Sequence, residues 1–177
     1  VVGQVWYNST TDELKTRRQF VTNAWSTGGN LNTARWSLSG AGSQTSSLAI
    51  GGASNGAAGV TTEAYNGSSW TAVNDLNTGR NNSGTAGVNN TAALTFGGNE
   101  PNLNNTEVWN GTNWTEVNNL NQLREKLGGA GASNTSALAF TGDIPPTTHN
   151  TELWNGTNWT DVADINNKRE DRAGTGT

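Results

Sequence analysis

Arginine and glutamate recur in this chain at intervals too regular for chance. Arg35, Arg80, Arg124 and Arg169 follow one another at 45, 44 and 45 residues, and Glu63, Glu107 and Glu152 at 44 and 45. Two kinds of chemistry are open to such columns. Guanidinium and carboxylate at equivalent places in every repeat can close on each other as a ladder of buried pairs, because a buried charge needs a partner. Alternatively, the four arginines form a crown that contacts a ligand. The repetition itself favours the ladder.

Other reactive side chains are scarce. His149, the one histidine, lies in the Pro-rich stretch Asp143-Ile144-Pro145-Pro146-Thr147-Thr148-His149. A His beside an Asp can do acid–base or metal chemistry. No serine, second His or carboxylate cluster repeats around it, so a solvated loop residue is the favoured reading. The preceding repeat carries Asn99 and Glu100 in the corresponding loop, and loops of this kind, variable in length and sequence, are where recognition residues sit. Asn99, Glu100 and His149 are therefore candidate binding residues alongside the arginines. Asn74-Asp75 and Asn99-Glu100 offer oxygen ligands, but no Asp-x-Asp-x-Asp run supports a calcium loop. Neither a metal nor a cofactor is expected.

Composition narrows the classes further. With no Cys there is no thiolate nucleophile, disulfide frame or Cys-ligated metal. Ten Lys plus Arg against fourteen Asp plus Glu, at net charge −4, argue against nucleic-acid binding, which needs clustered positive charge. No apolar run reaches the length of a membrane span, and no basic segment precedes an apolar one as in a signal peptide. The start at Val1-Val2 without Met suggests a processed product or a piece of something longer. The absence of both Cys and Met fits an extracellular, oxidant-exposed setting. Asn-x-Ser/Thr triplets such as Asn110-Gly111-Thr112 read better as turn chemistry than as glycan acceptors.

The elements that must position these residues follow the same period. Gly, Asn, Thr and Ser make 89 of 177 residues, while Leu, Ile, Val and Phe supply only 28. Such a poor aliphatic supply is typical of chains that do not collapse. Against disorder stand the low net charge and eight Trp, several of them in register. Trp25, Trp70, Trp114 and Trp159 are 45, 44 and 45 apart; Phe20, Tyr65, Trp109 and Trp154 form a second aromatic column. Burying one such side chain removes roughly 150–250 Å² from water, an upper bound of about 4–6 kcal/mol. These side chains are expected to carry much of the packing.

Within residues 77–120 the local signals are those of four short strands. A small-residue strand runs near Gly84 to Val88, and Asn89-Asn90 suits a turn. Alternation in Thr91 to Phe96 has the period of 2 of a strand. Thr106 to Trp109 and Asn113 to Val117 flank Asn110-Gly111, the strongest short hairpin signal. Four strands in about 45 residues imply an all-β chain of β-propeller blades.

These residues resemble the kelch repeat. The marks are a Gly-Gly doublet ending the second strand (Gly51-Gly52, Gly97-Gly98), an aromatic 13 or 12 residues on (Tyr65, Trp109), and a Trp five residues later. The next repeat departs, with Thr141-Gly142 in the doublet's place. The wording of "NTEVWNGTNWTEVNNLN" is similar to kelch-repeat proteins of bacteriophage virions, marine ones notably. In kelch propellers the face where the fourth strand leads into the next blade often binds partners, and the Arg column falls there. Propeller enzymes fit poorly: resemblance to galactose oxidase would need a Cys and several His, and a sialidase an Arg triad with a Tyr nucleophile.

Four periods of 44.5 residues account for the chain, so the expected fold is one domain, residues 1–177, closed into four blades. Blade 1 takes 1–31 plus 166–177, blade 2 32–76, blade 3 77–120 and blade 4 121–165. Sharing one blade between the chain's two ends removes exposed sheet edges. The alternative is a part of a ring of five to seven blades. The resemblance implies a non-enzymatic structural or binding module of a virion, extracellular, in contact with other virion proteins or with a host protein or glycan. Self-association is compatible with it, while nucleic acid and membrane insertion are not expected. The alternative function is a secreted or surface lectin-like propeller.

Overall fold

The computed structural model describes residues 4–8, 10–11, 13–17, 27–99, 103–143, 148–171 and 174. Among these the chain is all-β. A hairpin of β1 (Gln4–Asn8) and β2 (Glu13–Arg17) comes first. The first four-stranded antiparallel sheet is ordered β3 (Ser39–Ser43), β4 (Ser46–Ile50), β7 (Thr62–Tyr65), β8 (Trp70–Val73). Between β4 and β7 a small hairpin, β5 (Ala53–Ser54) with β6 (Ala57–Ala58), is inserted. The second sheet is β9 (Gly84–Asn89), β10 (Ala92–Phe96), β11 (Thr106–Trp109), β12 (Trp114–Val117). The third is β13 (Gly128–Ser133), β14 (Ser136–Phe140), β15 (Thr151–Trp154), β16 (Trp159–Val162).

Local chemistry explains the strand ends. The Asn-Gly signal does make a hairpin, but through a four-residue loop. Asn110 Oδ1 accepts from the N–H of Thr112 and Asn113, both at 2.9 Å, while Gly111 takes φ 95°. Asn66 and Asn155 repeat this arrangement. The side chain of Asn thus supplies the acceptor that tightens the turn. Each such turn places two aromatics directly opposite: Tyr65 on Trp70, Trp109 on Trp114, Trp154 on Trp159, with ring centroids 4.9, 5.3 and 5.4 Å apart. Cross-strand aromatic pairs of this kind stabilise a sheet beyond their burial.

At the other end of the sheets the Gly doublets end β4 and β10 in the left-handed region, Gly51 and Gly52 at φ 59° and 97°, Gly97 and Gly98 at 64° and 115°. In the third sheet Thr141 and Gly142 keep that geometry at 62° and 117°. The departure in sequence is therefore not a departure in backbone.

The sheets pack face to face through the aromatic columns. Leu48, Ile50 and Leu76 of the first repeat enclose Ala93, Trp109 and Trp114 of the second. Leu94, Phe96 and Leu120 enclose Ala137, Trp154 and Trp159 of the third, and Phe96 meets Trp159 edge-on at 4.8 Å. Polar bonds run alongside. Trp114 Nε1 donates to Thr62 Oγ1 at 3.1 Å and Trp159 Nε1 to Thr106 Oγ1 at 3.0 Å. Asn90 Nδ2 donates to Tyr65 O, and Trp109 Nε1 back to Asn90 O. Asn134 with Trp109 and Trp154 does the same one sheet on. Few aliphatics suffice because Asn and Trp together make a repeating lattice of sheet-to-sheet hydrogen bonds.

The N-terminal segment follows a different register from the repeat. Val5 lies in a strand as expected, but β1 pairs directly with β2 across the polar Asn8-to-Glu13 turn, ahead of the place that repeat spacing assigns to a third strand. Phe20 and Trp25, the expected aromatics of that unit, lie outside the described residues.

Candidate functional site

The Arg and Glu columns meet. Arg35 Nη1 lies 2.6 Å from Glu63 Oε1, Arg80 Nη2 2.8 Å from Glu107 Oε1, and Arg124 Nη2 2.6 Å from Glu152 Oε1, all six side chains buried. The other Nη donors are also used, while each Nε is buried without a hydrogen-bond partner. Arg80 Nη1 donates to Gly97 O and Asn105 O, both at 2.9 Å; Arg124 Nη1 donates to Thr141 O at 3.1 Å and Asn150 O at 2.8 Å. Each pair thus ties the segment entering a sheet to its second and third strands. Arg35, Arg80 and Arg124 are sealed in these ties and present no guanidinium at the surface. Arg169 differs: it stands exposed, and its backbone carbonyl accepts from Gly142 N–H.

An unforeseen partner completes each pair. Asn32 donates its N–H and Nδ2 to Glu63 Oε2 at 2.7 and 2.9 Å, and Asn77 does so to Glu107 Oε2 at 2.8 and 2.9 Å. Asn121 gives Glu152 only its N–H, since its Nδ2 turns to Asp161 Oδ1 at 3.0 Å. The electrostatics follow. Burial pushes the Glu63 carboxyl up, but the bonds from Asn32, Arg35 and Thr33 outweigh it and hold the group below the ordinary value. Burial also pushes Glu152 up, and there the Asn121 bond and Arg124 do not compensate, with Asp161 adding like charge. Burial lowers Arg80 and Arg124 against the pull of Glu107 and Glu152.

The loop residues divide. His149 Nε2 lies 3.2 Å from Asp164 Oδ2, both part exposed, while Asp143 is bridged instead to Glu125. Asn99 pairs its backbone with Asn81. Glu100 lies outside the described residues. Among the described residues no three His, Cys, Asp or Glu come close enough to hold a metal ion.

A polar cavity is rimmed by a further column in the same register, two residues beyond each arginine. Ser37, Asn82, Lys126 and Asp171 all take left-handed backbone, φ 50°, 52°, 53° and 53°. Asn82 N–H donates to Ser37 O at 3.0 Å, Lys126 N–H to Asn82 O at 2.9 Å, and Asp171 N–H to Lys126 O at 3.0 Å. With Leu38, Ser39, Ser83 and Leu127 they line a cavity of about 250 Å³. A second space that shares Leu38, Ser39, Ser83 and Leu127 is lined also by Thr85, Gly129 and Gly174. Lys126 Nζ lies 3.4 Å from Glu170 Oε2, and Glu170 above all, with Asp171 and Glu125, holds its ammonium above the ordinary range.

Beside Ser37 stands Trp36, 58% exposed. Its backbone pairs with Ala53 as Asn81 pairs with Asn99 and Glu125 with Asp143. Trp36 is thus the aromatic member of an otherwise polar column. The signal in the sequence is its position, since no other Trp lies a repeat away.

No protein-family model and no curated protein matches the chain.

Proposed function

We propose that this chain is a kelch-like β-propeller acting as a non-enzymatic binding or structural module of a bacteriophage virion, presenting one loop face to other virion proteins or to a host surface. One observation carries the non-enzymatic reading: the repeated charged groups close on one another, Arg35 with Glu63, Arg80 with Glu107 and Arg124 with Glu152, all buried, and their Nη groups bond only within the sheets. They build the scaffold and leave recognition to what differs between repeats. The virion assignment rests on the resemblance of repeat and wording.

The packing of the sheets supports a closed four-bladed arrangement. Leu138 and Leu153 of the third sheet are 37% and 40% exposed, whereas Leu94, the counterpart of Leu138, is fully buried. Thr151 Oγ1 is buried with no hydrogen-bond partner, while Thr62 and Thr106 in the same column each receive a Trp Nε1. The first sheet has a complementary free side, a cavity of about 320 Å³ against Leu31, Leu48 and Trp70. A further blade fits between these two flanks, and by repeat spacing Phe20 and Trp25 are its aromatics. Light scattering with intact mass tests this. A compact monomer near 18.5 kDa supports closure by the chain's own ends. Stable assembly of two or more chains, or a native polypeptide of much greater mass, overturns it.

A second reading, a secreted or surface carbohydrate-binding propeller, is favoured by the polar cavity and by exposed Trp36, which precedes its rim residue Ser37 in the chain.

A further inference from the structure

We infer that the face carrying Trp36 and the cavity rimmed by Ser37, Asn82, Lys126 and Asp171 binds a neutral sugar. The inference rests on the non-enzymatic binding reading and gives it a site and a ligand class.

Three observations carry it. The first is the backbone. Ser37, Asn82, Lys126 and Asp171 each occupy a conformation that glycine adopts without steric cost, in a chain with 23 glycines, yet every one keeps a polar side chain. Non-glycine residues held in such conformations are found disproportionately where the side chain is used. The bonds that link them successively are backbone to backbone, so the side chains are not what holds the geometry.

The second is the space. About 250 Å³ falls just below the usual range of ligand sites, room for one sugar ring rather than an extended peptide. Its lining includes the Ser37 hydroxyl, the Asn82 amide and the Asp171 carboxylate beside apolar Leu38 and Leu127, while Ser39 Oγ is bonded to Ser83 and Asn82 Nδ2 to Asn81 Oδ1; this mixture suits a polyhydroxylated ring with apolar C–H faces. Trp36 adds an exposed aromatic platform one residue from Ser37.

The third is charge. Lys126 Nζ lies 3.4 Å from Glu170 Oε2, and Asp171 lines the same cavity, so the one ammonium there is outnumbered by carboxylates. A sialylated, sulfated or phosphorylated ligand would enter against net negative charge. A protein partner would use Trp36 at the centre of an apolar patch. Here the adjoining residue and the cavity rim are polar or charged.

The test uses the whole chain on an array of neutral, amino, sialylated and sulfated glycans, followed by titration of the best neutral sugar. Three variants are compared: Trp36→Ala, Asn82→Gly and Asp171→Gly. The two glycine variants remove a side chain where the backbone already suits glycine, so folding survives and thermal melting reports it. Binding of neutral glycans is expected, weakened about tenfold or more by Trp36→Ala and about fivefold by each glycine variant. An array on which nothing binds, or only acidic glycans bind, overturns the site, as does unchanged affinity in all three variants. Capture of a protein partner through Trp36 with no glycan bound overturns it also. Release of reducing ends from a bound glycan would refute the non-enzymatic reading while leaving the site in place.

Discussion

Replacing Thr141 by glycine should stabilise the protein. Thr141 is β-branched, fully buried and held at φ 62°, where its sisters are Gly51 at 59° and Gly97 at 64°. A side chain in the left-handed region costs about 1–2 kcal/mol, and branching at Cβ adds crowding. Its Oγ1 is buried with no hydrogen-bond partner, a further cost of about 1–3 kcal/mol. Two terms oppose the change. Glycine frees the unfolded chain by about 0.4–1 kcal/mol, and the lost methyl forfeits about 0.8 kcal/mol of burial. The balance is a gain of about 2 kcal/mol, or roughly 5 °C in Tm for a chain of this length. Urea unfolding followed by Trp fluorescence reads it directly, as a raised midpoint at unchanged slope. The reciprocal change, Gly97→Thr, should cost at least as much, because a Cβ there would lie 2.6 Å from the Arg124 carbonyl oxygen. A midpoint that stays put or falls for Thr141→Gly would refute the strain argument, and a tolerated Gly97→Thr would do so independently.

The remaining expectations concern the ion pairs, the Trp column and acid. Arg124→Ala strands a buried Glu152 and should cost about 3–5 kcal/mol in denaturant unfolding, whereas Arg169→Ala, in the same column but exposed, should leave Tm unchanged. Trp114→Ala should lower a cooperative transition by about 3–5 kcal/mol, since it empties the packing between two sheets and leaves Thr62 Oγ1 without its donor; unchanged melting with lost ligand binding would make Trp114 a contact residue instead. Glu63 is held below its ordinary 4.5, so its contribution is complete above that pH and disappears as pH falls through the lowered folded value. Glu63→Gln should therefore flatten the acid limb of a Tm–pH curve, while Glu152, pushed upward, has the opposite sign and gains relative stability as pH falls. By repeat count position 18 corresponds to Glu63; if the ring closes as four blades, Arg18→Glu would offer Arg169 a partner and raise Tm, and no change speaks against closure.

What the sequence makes legible here is what recurs in an uncommon residue type. Arg, Glu and Trp stand out against a background of Gly, Asn, Thr and Ser, so their columns show the period, the strands and the ion-pair ladder before any coordinates. Asn32, Asn77 and Asn121 are as regular, and they complete each buried carboxylate, but with 27 Asn in the chain their column disappears into composition. The cavity rim is hidden for the opposite reason. Ser37, Asn82, Lys126 and Asp171 share a backbone conformation and a chain of carbonyl bonds, neither of which is recorded in residue type. Trp36 falls between the two cases: it is visible as a Trp, and its meaning lies in being out of register.

Arg169 shows where the logic of columns stops. A repeat predicts a position, but burial comes from the neighbour that packs against it. Arg35, Arg80 and Arg124 each find a Glu, whereas counting back 45 residues from Glu63 reaches Arg18. The same count from Trp70 reaches Trp25, a fitting donor for the orphaned Thr151 Oγ1. One column thus speaks for closure of the four units and the other withholds its ion pair there. A joint lacking that pair would open before the other interfaces do, so hydrogen exchange should be fastest along β15 and β16 and slowest along β10 and β11. Equal protection of the two sheets would mean that the third sheet's outer flank is as firmly covered as any other.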